Sequence, residues 1–143
     1  MRKTKALSIS LLIPFMFLVF SETVLARKPA EIAQIELTPF WTLRIESDSL
    51  RREVLSQVAA NIIMFVPLGF LGAWYAKRNA IIPVVCLSLF SASIEFLQFV
   101  LHIGTAEVDA VISNTAGAII GAAIYCIYQR VCHLIKEEKD YKQ

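Results

Sequence analysis

Four stretches of mostly apolar residues constrain this chain more than any other feature. A helix needs about 20 such residues to cross the hydrocarbon core of a bilayer. The 143 residues are 57% hydrophobic and only 18% charged, which is more apolar than a soluble domain of this size requires. The sequence therefore predicts an all-α membrane protein, a bundle of four transmembrane helices at residues 7–26, 58–76, 81–101 and 108–128.

The first of these stretches has two interpretations. A basic start, an apolar stretch and a small residue at Ala26 are also the features of a secretory signal peptide. If residues 1–26 are retained, they form a membrane anchor, and if they are cleaved, a bundle of three helices remains. Both alternatives leave the orientation of the other three helices unchanged.

Basic residues predict how the helices are oriented. They precede the first span, separate the second from the third and follow the fourth (Arg2, Lys3, Lys5, Lys77, Arg78, Arg130, Lys136, Lys139 and Lys142). Because short positively charged segments favour the cytoplasm, both termini are predicted to be cytoplasmic. The chain then divides into an anchor or signal (1–26), an extracytoplasmic loop (27–57), a three-helix core (58–129) and a cytoplasmic tail (130–143). The loop is predicted to end in a short amphipathic helix on the membrane surface that leads into the second span.

Polar side chains concentrate at the predicted extracytoplasmic ends of the last three spans. In the third span they recur at spacings of three and four, which places them on one helical face (Ser88, Ser91, Glu95, Gln98 and His102). In the fourth span, Asn114 is predicted two turns below Glu107 on the same face. A charged residue within a span usually faces the bundle or a wet cavity. We therefore take Glu95 as the candidate catalytic residue, within a candidate ligand-binding set (Asn61, Glu95, Gln98, Glu107, Asp109 and Asn114).

Most of these side chains also have a structural interpretation. Asn61 and Asn114 are suited to hydrogen bonds between helices. Glu107 and Asp109 stand near a helix N-terminus, where carboxylates act as caps and are favoured by the helix dipole. Four further residues are assigned structural roles, a proline that kinks the second span and glycines that allow close packing (Pro67, Gly69, Gly117 and Gly121).

The composition and motifs indicate neither a metal or cofactor site nor a nucleic-acid interface. The net charge is only +2, and no basic block with interleaved aromatic residues is present. The three cysteines have neither metal-binding nor redox spacing. Membrane lipid is the predicted partner. A homo-oligomer formed through Gly117 and Gly121 is an open alternative, because small residues at this spacing allow helices to approach closely.

Taken together, these segments resemble the VanZ-like family of bacterial membrane proteins. The matching pieces are LTPFWTL (37–43), NIIMFVPLGFLG (61–72), IEFLQ (94–98) and GTAEVDAVISNTAGAIIG (104–121). The resemblance implies a multi-pass protein of the bacterial cell membrane associated with glycopeptide resistance, notably to teicoplanin. The family's shared positions match nine residues here (Asn61, Pro67, Gly69, Glu95, Gln98, Glu107, Asp109, Asn114 and Gly117). Gly104 and Ala110 depart from the family, which often has an arginine and a second acid there.

Three functions are compatible with this reading of the sequence. The first is a non-enzymatic envelope protein whose polar cluster binds an amphiphilic or lipid-linked ligand, such as a glycopeptide or a cell-wall precursor. The second is a membrane enzyme in which Glu95 acts as a general acid or base. The third is a transporter subunit, which would need a homo-oligomer because four spans are few. The first is preferred, because neither a Ser–His–Asp arrangement nor an HExxH motif accompanies Glu95.

Overall fold

A computed structural model describes residues 2–26, 34–77 and 79–141. These residues form four long helices, α1 (Arg2–Phe20), α2 (Asp48–Ala76), α3 (Ile81–Val100) and α4 (Val108–Tyr141). Each is long and apolar enough to cross a membrane, which confirms the predicted four-helix membrane fold. The cytoplasmic placement of both termini stays a prediction, and Arg78 and Lys142 of its basic clusters lie outside the described residues.

The second helix is longer than its predicted span. α2 begins at Asp48 and runs without interruption to Ala76. The sequence predicted a short amphipathic helix that leads into the second span, and residues 48–57 are helical and continuous with that span, because the segment before Val58 contains no glycine or proline to break the helix. Its place at the membrane surface and the division of the chain at Val58 stay predictions. Pro67 is accommodated inside α2, and the kink expected from it stays a prediction.

Two strands of three residues each join the loops at one end of the bundle. The sequence analysis did not predict them. β1 (Gln34–Glu36) precedes α2, and β2 (Thr105–Glu107) lies between α3 and α4. The strands pair in parallel, with Ile35 opposite Ala106. Their pairing fixes two loops that are far apart in sequence. We call this end of the bundle the strand end.

Helices α2 and α4 approach each other closely because glycines line their contact. A methyl group on Gly69 would overlap the backbone of Ala118, and one on Gly117 would overlap the carbonyl group of Ile62. Gly121 meets the backbone of α2 in the same way. These approaches leave no space for a side chain. The Gly117 and Gly121 face is therefore occupied by a helix of the same chain.

The core below the strand end is apolar and includes the first helix. Its fully buried side chains come from α1, α2, α3 and α4 (among them Val19, Phe65, Leu68, Leu87, Ile94 and Ala118). α1 continues into a single π-helical turn, Ser21–Leu25, which brings its end to the polar residues of the strand end. The backbone carbonyl of Thr23, in this turn, accepts a hydrogen bond from the Gln98 side chain.

Candidate functional site at the strand end

Polar side chains from the π-helical turn, α2, α3, β2 and α4 surround a small cavity at the strand end. We call it the polar cavity. Its lining consists of Thr23, Gln57, Asn61, Ile94, Glu95, Gln98, Thr105, Glu107, Ala110 and Asn114. The volume is about 10 Å³, which is close to the space that one water molecule needs. Five of the six candidate ligand-binding residues lie in this lining, and Asp109 does not.

Glu95 is held by the strand that precedes α4. The backbone N–H of Glu107 donates a hydrogen bond to Glu95 Oε2 at 2.9 Å. Glu107 is the last residue of β2, so it does not share a helical face with Asn114 as the sequence predicted. Glu95 and Glu107 both line the cavity because β2 lies against the end of α3.

Two buried amides connect α3 to its neighbours. Gln98 Nε2 donates to the carbonyl oxygen of Thr23 at 2.8 Å, and Asn114 Nδ2 donates to Ser91 Oγ at 2.8 Å. The amide oxygens, Gln98 Oε1 and Asn114 Oδ1, are buried and have no hydrogen-bond partner among the described residues. Gln98 is 1% exposed and Asn114 is 5% exposed. Buried acceptors without a donor are costly, so these two oxygens need an explanation.

Other polar bonds between the helices hold the site together. Asn61 Nδ2 donates to Ser113 Oγ at 3.3 Å, which joins α2 to α4. Thr115 Oγ1 donates to Ser88 Oγ at 2.9 Å, which joins α4 to α3. These bonds match the structural interpretation of the polar residues, and a role in ligand binding stays a prediction.

Asp109 forms a hydrogen bond with the loop before α2. Its Oδ1 accepts a hydrogen bond from the backbone N–H of Phe40 at 2.6 Å, across 69 residues of sequence. Phe40 has a φ of 58°, in the left-handed region that residues other than glycine rarely adopt. Asp109 is 6% exposed, and its Oδ2 has no partner among the described residues. The first turn of α4 favours this negative charge through the helix dipole.

Asp109 also lines a second and larger space, which we call the Asp109 groove. Its volume is about 170 Å³, and its lining consists of Phe40, Val58, Ile62, Asp109, Ile112, Ser113 and Ala116. Apart from the carboxylate and the Ser113 hydroxyl, these side chains are apolar. A mainly apolar pocket with one or two fixed polar groups is typical of small-molecule sites.

The loop beside the groove exposes large apolar side chains. Leu37 is 71% exposed and Phe40 is 56% exposed. The hydroxyl of Thr38, together with its backbone N–H at 2.8 Å from Oε1, holds the pKa of Glu36 below its ordinary value. The loop thus combines a stable negative charge with apolar side chains, an amphipathic combination that suits the surface of a membrane.

The sequence analysis missed three polar residues of the polar cavity, Thr23, Gln57 and Thr105. Gln57 lies four residues before Asn61 in a segment that the sequence had already predicted as helical, so helical spacing would have found it. Thr23 and Thr105 lie in a π-helical turn and a short strand, which carry no such signal. His102 lies beyond the end of α3, where it is exposed and has a φ of 55°.

The chain matches a known protein family over most of its length. A family model described as VanZ/LLP1 matches residues 6–129. The chain belongs to the VanZ/LLP1 family. Protein VanZ of Enterococcus faecium is 33% identical over 66 residues, which are 46% of this chain and 41% of that protein. The aligned part thus spans less than half of that relative. No solved structure matches the chain.

The VanZ/LLP1 match covers both candidate sites. Every residue that lines the polar cavity or the Asp109 groove falls within residues 6–129. The part of α4 after Gln129 lies outside the match, and its side chains are exposed. The family assignment therefore applies to the four-helix bundle and its strand end.

Proposed function

We propose that this VanZ/LLP1 protein acts in the bacterial cell membrane to lower susceptibility to glycopeptides, with teicoplanin as the expected drug. In this proposal, the Asp109 groove binds the polar group of an amphiphilic or lipid-linked ligand, such as a glycopeptide or a cell-wall precursor. Family membership supports the link to resistance. The observation that supports the site is Asp109, a residue of a groove with mainly apolar walls, whose buried Oδ2 has no hydrogen-bond partner among the described residues.

The chemistry of the Asp109 groove favours a ligand with an N–H or O–H group. A hydrogen bond to a charged acceptor contributes about 1.5–3 kcal/mol, and the donor would satisfy Oδ2. Pockets for whole small molecules measure roughly 300–1,000 Å³, whereas this groove measures about 170 Å³. Only part of the ligand therefore enters, while its apolar part lies along the exposed loop side chains or in the bilayer.

The polar cavity supports this ligand assignment less well than the groove does. Its volume of about 10 Å³ leaves no room for a drug or a lipid head group. The proposal therefore places the ligand at the one candidate residue that lies outside the cavity lining, Asp109. The strand end faces the extracytoplasmic side in this proposal, where glycopeptides meet their targets.

Substitution of Asp109 by asparagine tests the proposed site. Asp109→Asn keeps an oxygen for the Phe40 N–H but replaces Oδ2 with a donor. Wild type, Asp109→Asn and the control Asp48→Asn, an exposed first-turn acid of α2, are expressed at matched levels in a susceptible host that lacks the gene. Teicoplanin and vancomycin susceptibilities are then compared.

We expect wild type and Asp48→Asn to protect against teicoplanin and Asp109→Asn to lose most of that protection. Equal protection by all three would reject the Asp109 site. If wild type gave no protection, the resistance role itself would be wrong. Binding of teicoplanin or lipid-linked precursors to the protein in nanodiscs provides a direct second measurement.

A membrane enzyme is a second candidate, which a different observation favours. Glu95 lines a cavity with room for about one water molecule, and a general base must be within hydrogen-bond reach of the proton that it takes, directly or through one water. In this alternative, Glu95→Gln would abolish turnover of a lipid-linked substrate. The measurement is the envelope lipid composition of a deletion strain complemented with wild type or Glu95→Gln, and an unchanged composition would reject the enzyme.

A further inference from the structure

An apolar groove lies on the outside of the bundle, where α1 meets α2 and α4. We call it the α1 groove. Its volume is about 410 Å³, and its lining consists of Leu11, Phe15, Val66, Pro67, Phe70, Leu71 and Ile124. Leu11 and Ile124 are exposed, and all three helices are long and apolar enough to cross a membrane. The groove therefore opens toward the acyl chains of the bilayer.

Two lysines lie where α1 begins and α2 ends, at the opposite end of the bundle from the strand end. Lys77 Nζ donates a hydrogen bond to Thr4 Oγ1 at 3.2 Å. Lys5 Nζ lies 5.3 Å from the centre of the Tyr75 ring, which is a cation–π contact. Both partners are neutral, and no carboxylate of the described residues forms an ion pair with either lysine. The described part of the chain therefore supplies no anion to neutralise these two charges.

The positions of the lysines match the depth of the groove. Thr4 lies seven residues before Leu11 on the same face of α1, and Lys77 follows Phe70 by seven residues. Seven residues of helix rise about 10 Å. The head-group region of one leaflet is about 5–7 Å thick, and a lysine side chain can extend along an apolar surface to reach it. A phosphate beside the lysines thus leaves its acyl chain at the depth of the α1 groove.

We propose that the α1 groove binds one anionic glycerophospholipid, with its phosphate at Lys5 and Lys77 and one acyl chain against the apolar lining. The charge decides the class of lipid, because lipid tails are as apolar as the lining and give little preference among lipids. A lysine near a membrane surface favours an anionic lipid about fivefold. A zwitterionic head group carries a cation of its own, which the two lysines would repel.

The position of the groove predicts what the lipid does. Its lining comes from α1, α2 and α4, so an acyl chain in the groove contacts all three helices and holds α1 against the other two. Because a ligand that binds only the folded state stabilises that state, we expect anionic lipid to raise the midpoint of thermal unfolding. This inference concerns the end of the bundle away from both candidate sites and does not rest on the proposed function.

Lipid retention by the purified full-length protein tests the proposal. The protein is placed in nanodiscs that contain equal amounts of phosphatidylglycerol, which is anionic, and phosphatidylcholine, which is zwitterionic. Native mass spectrometry then counts the lipids of each kind that stay bound when the nanodisc is removed. We expect the protein to retain one phosphatidylglycerol molecule in preference to phosphatidylcholine. The midpoint of thermal unfolding should also be higher in phosphatidylglycerol nanodiscs than in phosphatidylcholine nanodiscs.

Substitution of the lysines tests the head-group site. Lys5→Gln combined with Lys77→Gln removes both charges and should lower the preference for phosphatidylglycerol about tenfold or more, because each lysine contributes about fivefold. Lys136→Gln combined with Lys139→Gln is the matched control. It removes the same charge from an exposed part of α4 and should leave the preference unchanged.

A larger side chain in the lining tests the groove itself while both lysines are kept. Leu11→Trp should fill part of the groove and reduce the amount of phosphatidylglycerol that the protein retains. Ile13→Trp is the matched control, because Ile13 is exposed on the same helix but does not line the groove.

Each outcome of these measurements decides the proposal. Equal retention of the two lipids by wild type would overturn it. A preference that survives the loss of Lys5 and Lys77 but not the loss of Lys136 and Lys139 would place the lipid at the end of α4 instead. Unchanged retention in Leu11→Trp would show that the lipid does not enter the groove. If the double lysine variant fails to fold, the single variants and Leu11→Trp carry the test.

Discussion

The backbone N–H of Glu107 donates to Glu95 Oε2 at 2.9 Å, across a separation of 12 residues. Glu107 stands directly before α4, where backbone N–H groups have no acceptor within the helix. The Glu95 side chain supplies that acceptor from α3. One carboxylate therefore both lines the polar cavity and fixes the chain reversal between α3 and α4.

This bond predicts that two substitutions of Glu95 differ in their effect on stability. Glu95→Gln keeps an oxygen for the Glu107 N–H, so the free energy of unfolding should change by less than about 1 kcal/mol. Glu95→Ala leaves that N–H without an acceptor and should destabilise the protein by about 1–3 kcal/mol. Thermal unfolding in nanodiscs measures the difference. Equal losses would mean that the Glu107 bond contributes little.

The close contact of α2 and α4 predicts a strong effect of even one methyl group. Gly121→Ala would place a Cβ against the backbone of α2, and overpacking of this kind costs about 1–3 kcal/mol. Ala123→Val is the matched control, because Ala123 is exposed on the same helix and should tolerate the added methyl groups. Denaturation in detergent compares the two variants. A Gly121→Ala variant as stable as Ala123→Val would contradict the observed approach.

Hydropathy and helical spacing predicted the helices and much of the polar cavity, because both depend on local sequence. The apolar lengths identified four helices, and the spacing of Glu95 and Gln98 placed them on one face of α3. Asn61 and Asn114 were predicted to lie near these two residues, and all four line the polar cavity. The positions of residues in regular apolar helices can thus be predicted from the sequence.

The remaining features depend on contacts between distant segments, for which a single sequence carries no signal. Three-residue strands such as β1 and β2 are too short to show a periodicity. Asp109 was grouped with the other polar residues, yet its partner is Phe40, 69 residues away. The Thr23 carbonyl was missed because it is a backbone acceptor, and the π-helical turn after α1 that contains it has no periodic signal in the sequence.

The bond from Gln98 to Thr23 predicts that α1 is retained in the mature protein. Loss of residues 1–26 would remove Val19 from the core and leave the buried Gln98 amide without its acceptor. An uncompensated buried amide of this kind costs about 1–3 kcal/mol. Intact-mass spectrometry of the protein purified from membranes should therefore find residues 1–26. A chain that begins near Arg27 would show instead that this segment is a cleaved signal.

The distribution of basic residues predicts that the end of α4 faces the cytoplasm and that the strand end faces outward. Cys132 is exposed on α4, so a membrane-impermeant thiol reagent should modify it only after the cells are permeabilised. The measurement uses a Cys86→Ser, Cys126→Ser background, because these two cysteines are also exposed. Leu37→Cys with Cys132→Ser in the same background should react in intact cells, because Leu37 is exposed at the strand end. Modification of Cys132, but not of the cysteine at position 37, in intact cells would invert the orientation and place both candidate sites on the cytoplasmic side.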